Sequence, residues 1–150
     1  MHFSRRSFLS SAATSAALVL VPIPVSALEL KPDVAEAIDA ILNGREASEA
    51  GIELDAPTVA ENGAQVPLTI RVNSPMTSDD HIETIHIIAT ANPEPGIGRF
   101  HLTPRVAKAE VFTRIRLAEE QEYLVFAELN DGRILQAAAR TAVSIGGCAT

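Results

Sequence analysis

The sequence predicts an all-β fold: an immunoglobulin-like antiparallel β-sandwich with a short helix at its N-terminal edge and a flexible C-terminal arm. Three observations predict it. Several stretches alternate apolar and polar residues at period two, turn signals separate them at short spacing, and a single stretch near the front carries helical spacing. About six strands arise in this way, and a partly open barrel is the competing arrangement of the same strands.

The helix comes first. Pro32 is followed by Val34, Ile38, Ile41 and Leu42, which share one helical face, and Asn43-Gly44 supplies the stop. A linker containing Gly51 and Pro57 follows. Asn62-Gly63 opens the first strand, residues 64–73, where Val66, Leu68, Ile70 and Val72 alternate with Gln65, Pro67, Thr69 and Arg71. After a loop built on Ser74-Pro75 and Ser78-Asp79-Asp80, residues 82–91 are almost continuously apolar, which suits a central strand covered on both faces. Residues 92–98 are too rich in Pro and Gly for a regular element, and a short strand resumes over residues 99–103. In residues 105–117, Ala109, Val111, Thr113, Ile115 and Leu117 oppose Lys108, Glu110, Arg114 and Arg116, with Phe112 out of place on the charged side. Glu119-Glu120-Gln121 turns the chain into residues 123–129, and Asn130-Asp131-Gly132 is a tight hairpin leading into the last strand, residues 133–145.

Composition narrows the function classes. The chain has 150 residues, 47% apolar and 21% charged, with a net charge of -7. That is room for one domain, too apolar for a disordered chain and too interrupted by charge for a polytopic membrane protein. Only Arg5 and Arg6 of the basic residues precede residue 28, so the remainder carries 10 basic against 19 acidic side chains, a net -9. Such a domain is a poor partner for a phosphate backbone, and nucleic acid is excluded as a ligand.

Residues 1–27 read as an export signal with a basic start, an apolar middle and the small-residue site Val25-Ser26-Ala27, so the mature chain begins at Leu28. Ser4-Arg5-Arg6-Ser7-Phe8-Leu9 has the form of a twin-arginine motif. The apolar run is shorter than the ~20 residues needed to span a bilayer and ends at Pro22 and Pro24, so no membrane association is expected of the mature form. The expected compartment is the periplasm, where thiols can be oxidised. The chain then divides into a signal peptide (residues 1–27), a sandwich with its helix (residues 28–142) and an arm (residues 143–150).

The sharpest chemical feature is Cys148, the one cysteine. It has no intramolecular partner, so in an oxidising compartment it is free, modified or bonded to another molecule. Val143, Ser144 and Ile145 lead to Gly146 and Gly147, and Ala149 and Thr150 follow the sulfur, so side-chain bulk around Cys148 is slight. Beyond Ile145 the extended reach is on the order of 20 Å, enough to enter a partner's cleft. Thiol chemistry needs the thiolate, and residues 141–150 contain no Lys, Arg or His to favour it, so activation falls to whatever receives the arm. An intermolecular disulfide is the other use of such a cysteine.

The remaining polar groups carry less. His81, His86 and His101, with Asp79, Asp80 and Glu83, lack the close ligand spacing of a metal site and suit structural roles. Glu119, Glu120 and Glu122 form a solvated rim. Nucleophile-elbow, phosphate-loop and dinucleotide motifs are missing, so neither catalytic nor metal-binding residues are expected.

Val143-Ser144-Ile145-Gly146-Gly147-Cys148 resembles the C-terminal arm of the SoxY family, the sulfur carriers of the periplasmic Sox sulfur-oxidising system. Pro57-Thr58-Val59-Ala60-Glu61-Asn62-Gly63, Val66-Pro67, Ser74-Pro75-Met76-Thr77, Asn92-Pro93-Glu94-Pro95-Gly96, Arg114-Ile115-Arg116-Leu117-Ala118 and Asp131-Gly132 resemble SoxY segments in the same order, so the likeness covers nearly all of residues 30–150. The resemblance implies an immunoglobulin-like sandwich that forms a heterodimer with a SoxZ-like subunit. It also implies that Cys148 holds thiosulfate-derived sulfur covalently, with no other cofactor. The cytochrome complex SoxAX would attach thiosulfate, SoxB would release sulfate, and a sulfane dehydrogenase would oxidise the sulfur that remains. The chain departs from the family's usual Gly-Gly-Cys-Gly-Gly ending, because Ala149-Thr150 add a methyl group and a β-branched side chain after the sulfur.

Overall fold

The computed structural model describes residues 30–145. Helix α1 (Pro32–Leu42) begins with Pro32 in its first turn, where a missing N–H breaks no helical hydrogen bond. It ends where Asn43 takes a left-handed conformation (φ 46°) and its N–H bonds to the Asp39 carbonyl; Gly44 continues the turn at φ 76°.

Nine strands follow: β1 (Ala47–Ser48), β2 (Ile52–Asp55), β3 (Val59–Asn62), β4 (Val66–Val72), β5 (Ile82–Ala89), β6 (Gly96–His101), β7 (Ala109–Ile115), β8 (Gln121–Leu129) and β9 (Ile134–Ile145). A single tight turn, Gly63–Gln65, joins β3 to β4, with the Asn62 side chain accepting from the Ala64 N–H. The larger sheet has the order β1-β9-β8-β5-β6, with β3 also paired to β9, and the smaller has the order β2-β4-β7. Pairing is antiparallel except at β1 and β3, which run parallel to β9. The sandwich class holds, with helix α1 where the helical spacing placed it.

The core lies between the sheets. Leu68 and Ile70 of β4, Ile85 and Ile87 of β5, and Tyr123 and Val125 of β8 are fully buried there. Burial of each such side chain stabilises the fold by roughly 1.5–3 kcal/mol. A second apolar layer forms where Val34 and Ile41 of α1 pack on Ile88, Phe126 and Ile134, on the opposite face of the larger sheet. The continuous apolar run of residues 82–91 is thereby explained: Ile85, Ile87 and Ala89 face the first layer and Ile88 the second. The helix therefore lies across the outer face of the larger sheet, not at an edge of the sandwich as the sequence suggested. Its apolar stripe needs a flat partner, and only the outward residues of β5, β8 and β9 supply one.

Two further expectations are corrected. The linker between α1 and Asn62 contains β1, β2 and β3, which raises about six strands to nine. These pieces have two to four residues each, and long-range pairing with β4 and β9 specifies them more than any local pattern does. The Gly-rich loop of residues 92–98 ends early, because Gly96, Ile97 and Gly98 already belong to β6. A Cβ at Gly98 would stand 3.1 Å from Ile87 Cδ1, so glycine permits the close approach of β6 to β5 beside an irregularity in register at Ile87 and Ile88. Phe112 does point to the charged side and is 65% exposed.

Candidate functional site: the root of the C-terminal arm

Of the arm, Val143, Ser144 and Ile145 are described; Gly146, Gly147, Cys148, Ala149 and Thr150 lie outside the described residues, as do Arg5, Arg6, Ala27 and Leu28. The site is therefore read from the strand that carries the arm. β9 leaves the β8 hairpin through Gly132 (φ 88°) and is twelve residues long. β8 accompanies it from Ile134 to Thr141, opposite Glu128 to Gln121. Beyond Thr141 the partner is β3, with Val59 opposite Ala142, Ala60 opposite Val143 and Asn62 opposite Ile145.

Two hydrogen bonds fix this handover. The fully buried Thr141 hydroxyl donates to the Pro57 carbonyl at 2.8 Å, and the Ala142 N–H donates to the Thr58 carbonyl at 2.9 Å. Val143 packs against the core, whereas Ser144 and Ile145 are exposed, Ile145 by 70%. The chain thus passes from anchored to solvated within two residues.

A buried polar network supports the same end of the sheet. Gln121, 3% exposed, accepts from the Ala91 N–H and donates to Asn92 Oδ1, both at 2.8 Å. Asn92 Oδ1 also accepts from the Ala118 N–H, and Asn92 Nδ2 donates to the Arg116 carbonyl. Two loops that need their backbone groups satisfied are tied in this way to Gln121, the β8 residue opposite Thr141 at the root of the arm. Beside it, burial pushes the Tyr123 phenol up, against a smaller opposite pull from Thr141. At the surface Arg140 pairs with Glu120 at 2.8 Å, and Glu119 and Glu120 are exposed, in keeping with a solvated rim. Sequence reasoning missed this network because Gln121 and Asn92 looked like ordinary turn residues.

The histidines do not converge. His81 stands 3.9 Å from Glu83, and His101 Nδ1 is 3.1 Å from the Thr84 hydroxyl. His86 lies under α1, where desolvation and then Arg99 hold its imidazole below the ordinary value, against a smaller pull from Glu128. Among the described residues, groups of three or more His, Cys, Asp or Glu able to hold a metal are absent.

A depression of about 640 Å³ lies between α1 and β6, with His86 and Ile88 on its floor and Arg99 at its side. Ala37, Ala40, Gly96 and Gly98 leave this space open by their small size. At its end Arg45 bonds Glu128 at 2.7 Å and also donates to the Ile41, Leu42 and Gly132 carbonyls, which ties the helix C-terminus to the β8–β9 hairpin.

Comparison with known proteins places this architecture. The family model described as "Sulfur oxidation protein SoxY" matches residues 38–148, a span that ends on Cys148. Curated proteins include none that match the chain. Among solved structures, the sulfur carrier protein SoxY from Chlorobium limicola f thiosulfatophilum is similar at 29% identity and a TM-score of 0.59, covering 73% of this chain and 94% of that one. A superoxide reductase (neelaredoxin) from Ignicoccus hospitalis is similar at 16% identity and a TM-score of 0.55, covering 63% and 80%. A putative superoxide reductase from Thermotoga maritima follows at 15% identity and a TM-score of 0.54, covering 64% and 87%. The likeness to the reductases is one of fold alone. With the family match running from the last turns of α1 through the sandwich to the cysteine of the arm, this chain belongs to the SoxY family of sulfur oxidation proteins.

Proposed function

We propose that the protein is a covalent carrier of thiosulfate-derived sulfur, with Cys148 as the attachment point and the sandwich as the platform that partner enzymes dock against. The observation that carries this reading is the family match, which reaches Cys148 and stops there. The printed description of the Chlorobium relative as a sulfur carrier protein supports it, as does a β9 root anchored by β3 just before the Gly-Gly-Cys.

The chemistry balances with a separate oxidant. The Cys148 thiol and thiosulfate join through a new S–S bond, releasing one proton and two electrons to a SoxAX-type cytochrome. Water then attacks the terminal sulfonate under a SoxB-type hydrolase, and sulfate leaves while a persulfide stays on Cys148. A sulfane dehydrogenase oxidises that sulfur further. The chain itself contributes no catalytic group to these steps. A covalent tether suits a domain of net -9, which does not favour retention of a free anion, and it raises the effective concentration of the sulfur at each docked enzyme.

In this reading a twin-arginine signal at Arg5 and Arg6 exports the chain to the periplasm, cleavage after Ala27 frees Leu28, and a SoxZ-like subunit completes a heterodimer. The deciding experiment is the intact mass of the mature protein taken from cells oxidising thiosulfate, before and after reduction, beside the Cys148→Ser variant. Reducible sulfur or thiosulfate adducts present only with Cys148 are the expected result. A bare thiol or a disulfide dimer with no adduct would overturn the carrier and leave a structural module joined through its cysteine.

A further inference from the structure

Beyond residue 27 the chain has ten Lys and Arg, and five of them, Arg99, Arg105, Lys108, Arg114 and Arg116, fall within residues 99–116. The other four arginines are each ion-paired: Arg45 with Glu128, Arg71 with Glu53 and Glu110, Arg133 with Asp131, and Arg140 with Glu120. Lys31 donates to the Ala91 carbonyl. The five basic residues of the segment are all exposed, and among the described residues none has an acidic partner within ion-pair distance. The one acid in the segment, Glu110, is taken by Arg71. Of the six described cations that lack an acidic partner, five therefore lie on one stretch, and the sixth, Lys31, is held by a backbone carbonyl.

The fold turns that stretch into an edge. β6 and β7 end their respective sheets, and a cleft of about 510 Å³ between them is lined by Gly96 and Ile97 on one side and Arg114 and Arg116 on the other. Glu94 is the acidic residue on its rim. Among the described residues β6 pairs with β5 only, so one row of its backbone N–H and C=O groups faces outward. Arg99 flanks it on the face of the larger sheet, and Phe112 (65% exposed) and Val106 (39% exposed) add apolar surface to the same segment. Exposed aromatic and arginine side chains together are the composition of protein-binding surfaces, and a long open edge accepts an added strand.

We infer that the β6–β7 edge is a docking surface for a partner protein that presents an acidic, extended segment, which lies along β6 with its carboxylates between Arg99 and the Arg114–Arg116 pair. The inference goes beyond the carrier reading and does not rest on it, since Cys148 takes no part. Charge complementarity selects the partner: a like-charged second copy is repelled over most of its surface, whereas among the described residues the positive strip is where an acidic chain gains.

The test uses the mature protein carrying Cys148→Ser, isotopically labelled, with backbone amides followed by NMR during titration. The probe is an end-blocked alternating Glu/Val hexapeptide; an alternating Lys/Val peptide and sodium sulfate at matched charge are the comparisons. Shifts confined to residues 96–101 and 105–116 are expected with the Glu/Val peptide, present at about 20 mM salt and lost at about 0.5 M. The double variant Arg114→Glu, Arg116→Glu should weaken binding about tenfold or more, while Arg133→Glu, outside the segment, leaves it unchanged. Three results would overturn the inference: shifts elsewhere or none, binding retained by the double variant, or the same shifts with sulfate, which would mark a small-anion site instead.

Discussion

Gln121 and Thr141 are the last cross-strand pair between β8 and β9, and the side chain of each is spent on a neighbouring segment: Gln121 on Ala91 and Asn92, Thr141 on Pro57. The arm therefore departs from a point held by three separate stretches of chain. This pair fixes the root of β9 immediately before its partner changes from β8 to β3.

Gln121→Ala should destabilise the fold by about 2 kcal/mol, because the Ala91 N–H and Asn92 Oδ1 lose a buried partner. Asn92→Ala should cost a similar amount. The two together should cost about 1 kcal/mol less than their sum, since they break one network. Urea unfolding of the three variants measures this, and strict additivity would count against a shared network.

Arg45 and Glu128 should prove unequal. Their side chains are about one-third exposed (33% and 28%), so the ion pair itself is screened, and Glu128→Gln should cost under about 1 kcal/mol. Arg45→Met also strips donors from the Ile41, Leu42 and Gly132 carbonyls and should cost about 2 kcal/mol. Thermal unfolding of both variants at one pH checks the order.

Acid should weaken the protein partly through His86. Its imidazole titrates below the ordinary 6.5 when folded and near 6.5 when unfolded, so between those values the unfolded chain binds the extra proton. The stabilisation from neutral His86 is complete above pH 6.5 and is lost progressively as pH falls below it. Unfolding free energy measured down to about pH 5 should fall less steeply in His86→Gln than in the parent. Parallel slopes would show that other groups carry the effect.

Val143 and Ile145, two residues apart on one strand, should respond oppositely to charge. Val143→Asp buries a carboxylate against the core and should cost about 3 kcal/mol, whereas Ile145→Asp should stay within about 0.5 kcal/mol. Denaturant midpoints of the two variants locate where the anchored root ends.

Much of this architecture is legible in local pattern. The alternation in residues 64–73 became β4 with Val66, Leu68, Ile70 and Val72 inward, and the apolar run after His81 became the doubly covered β5. The out-of-place Phe112 is exposed as its position at period two required. Asn43-Gly44 stops a helix and Asn130-Asp131-Gly132 turns a hairpin, with Asn43, Gly44 and Gly132 in left-handed conformations. The Gly-Gly-Cys and its order among the other segments carried the family, which the match through Cys148 bears out.

What local pattern could not carry is whatever depends on a distant partner. β1, β2 and β3 are strands only because β9 and β4 lie beside them, and two to four residues are too few to hold a period. The outer face chosen by α1 and the Gln121–Asn92 network join residues far apart in sequence, and the placing of Arg99 and the Arg114–Arg116 pair on either side of the β6–β7 edge depends on how the two sheets meet. The six longer strands β4 to β9, the turns, the lone thiol and the family are legible in the chain alone, because they rest on side-chain period, backbone conformation and composition. That β3 secures the end of β9, and that the arginines outside residues 99–116 are the ones with acidic partners, emerge only on folding, because long-range pairing acts between segments that meet only then.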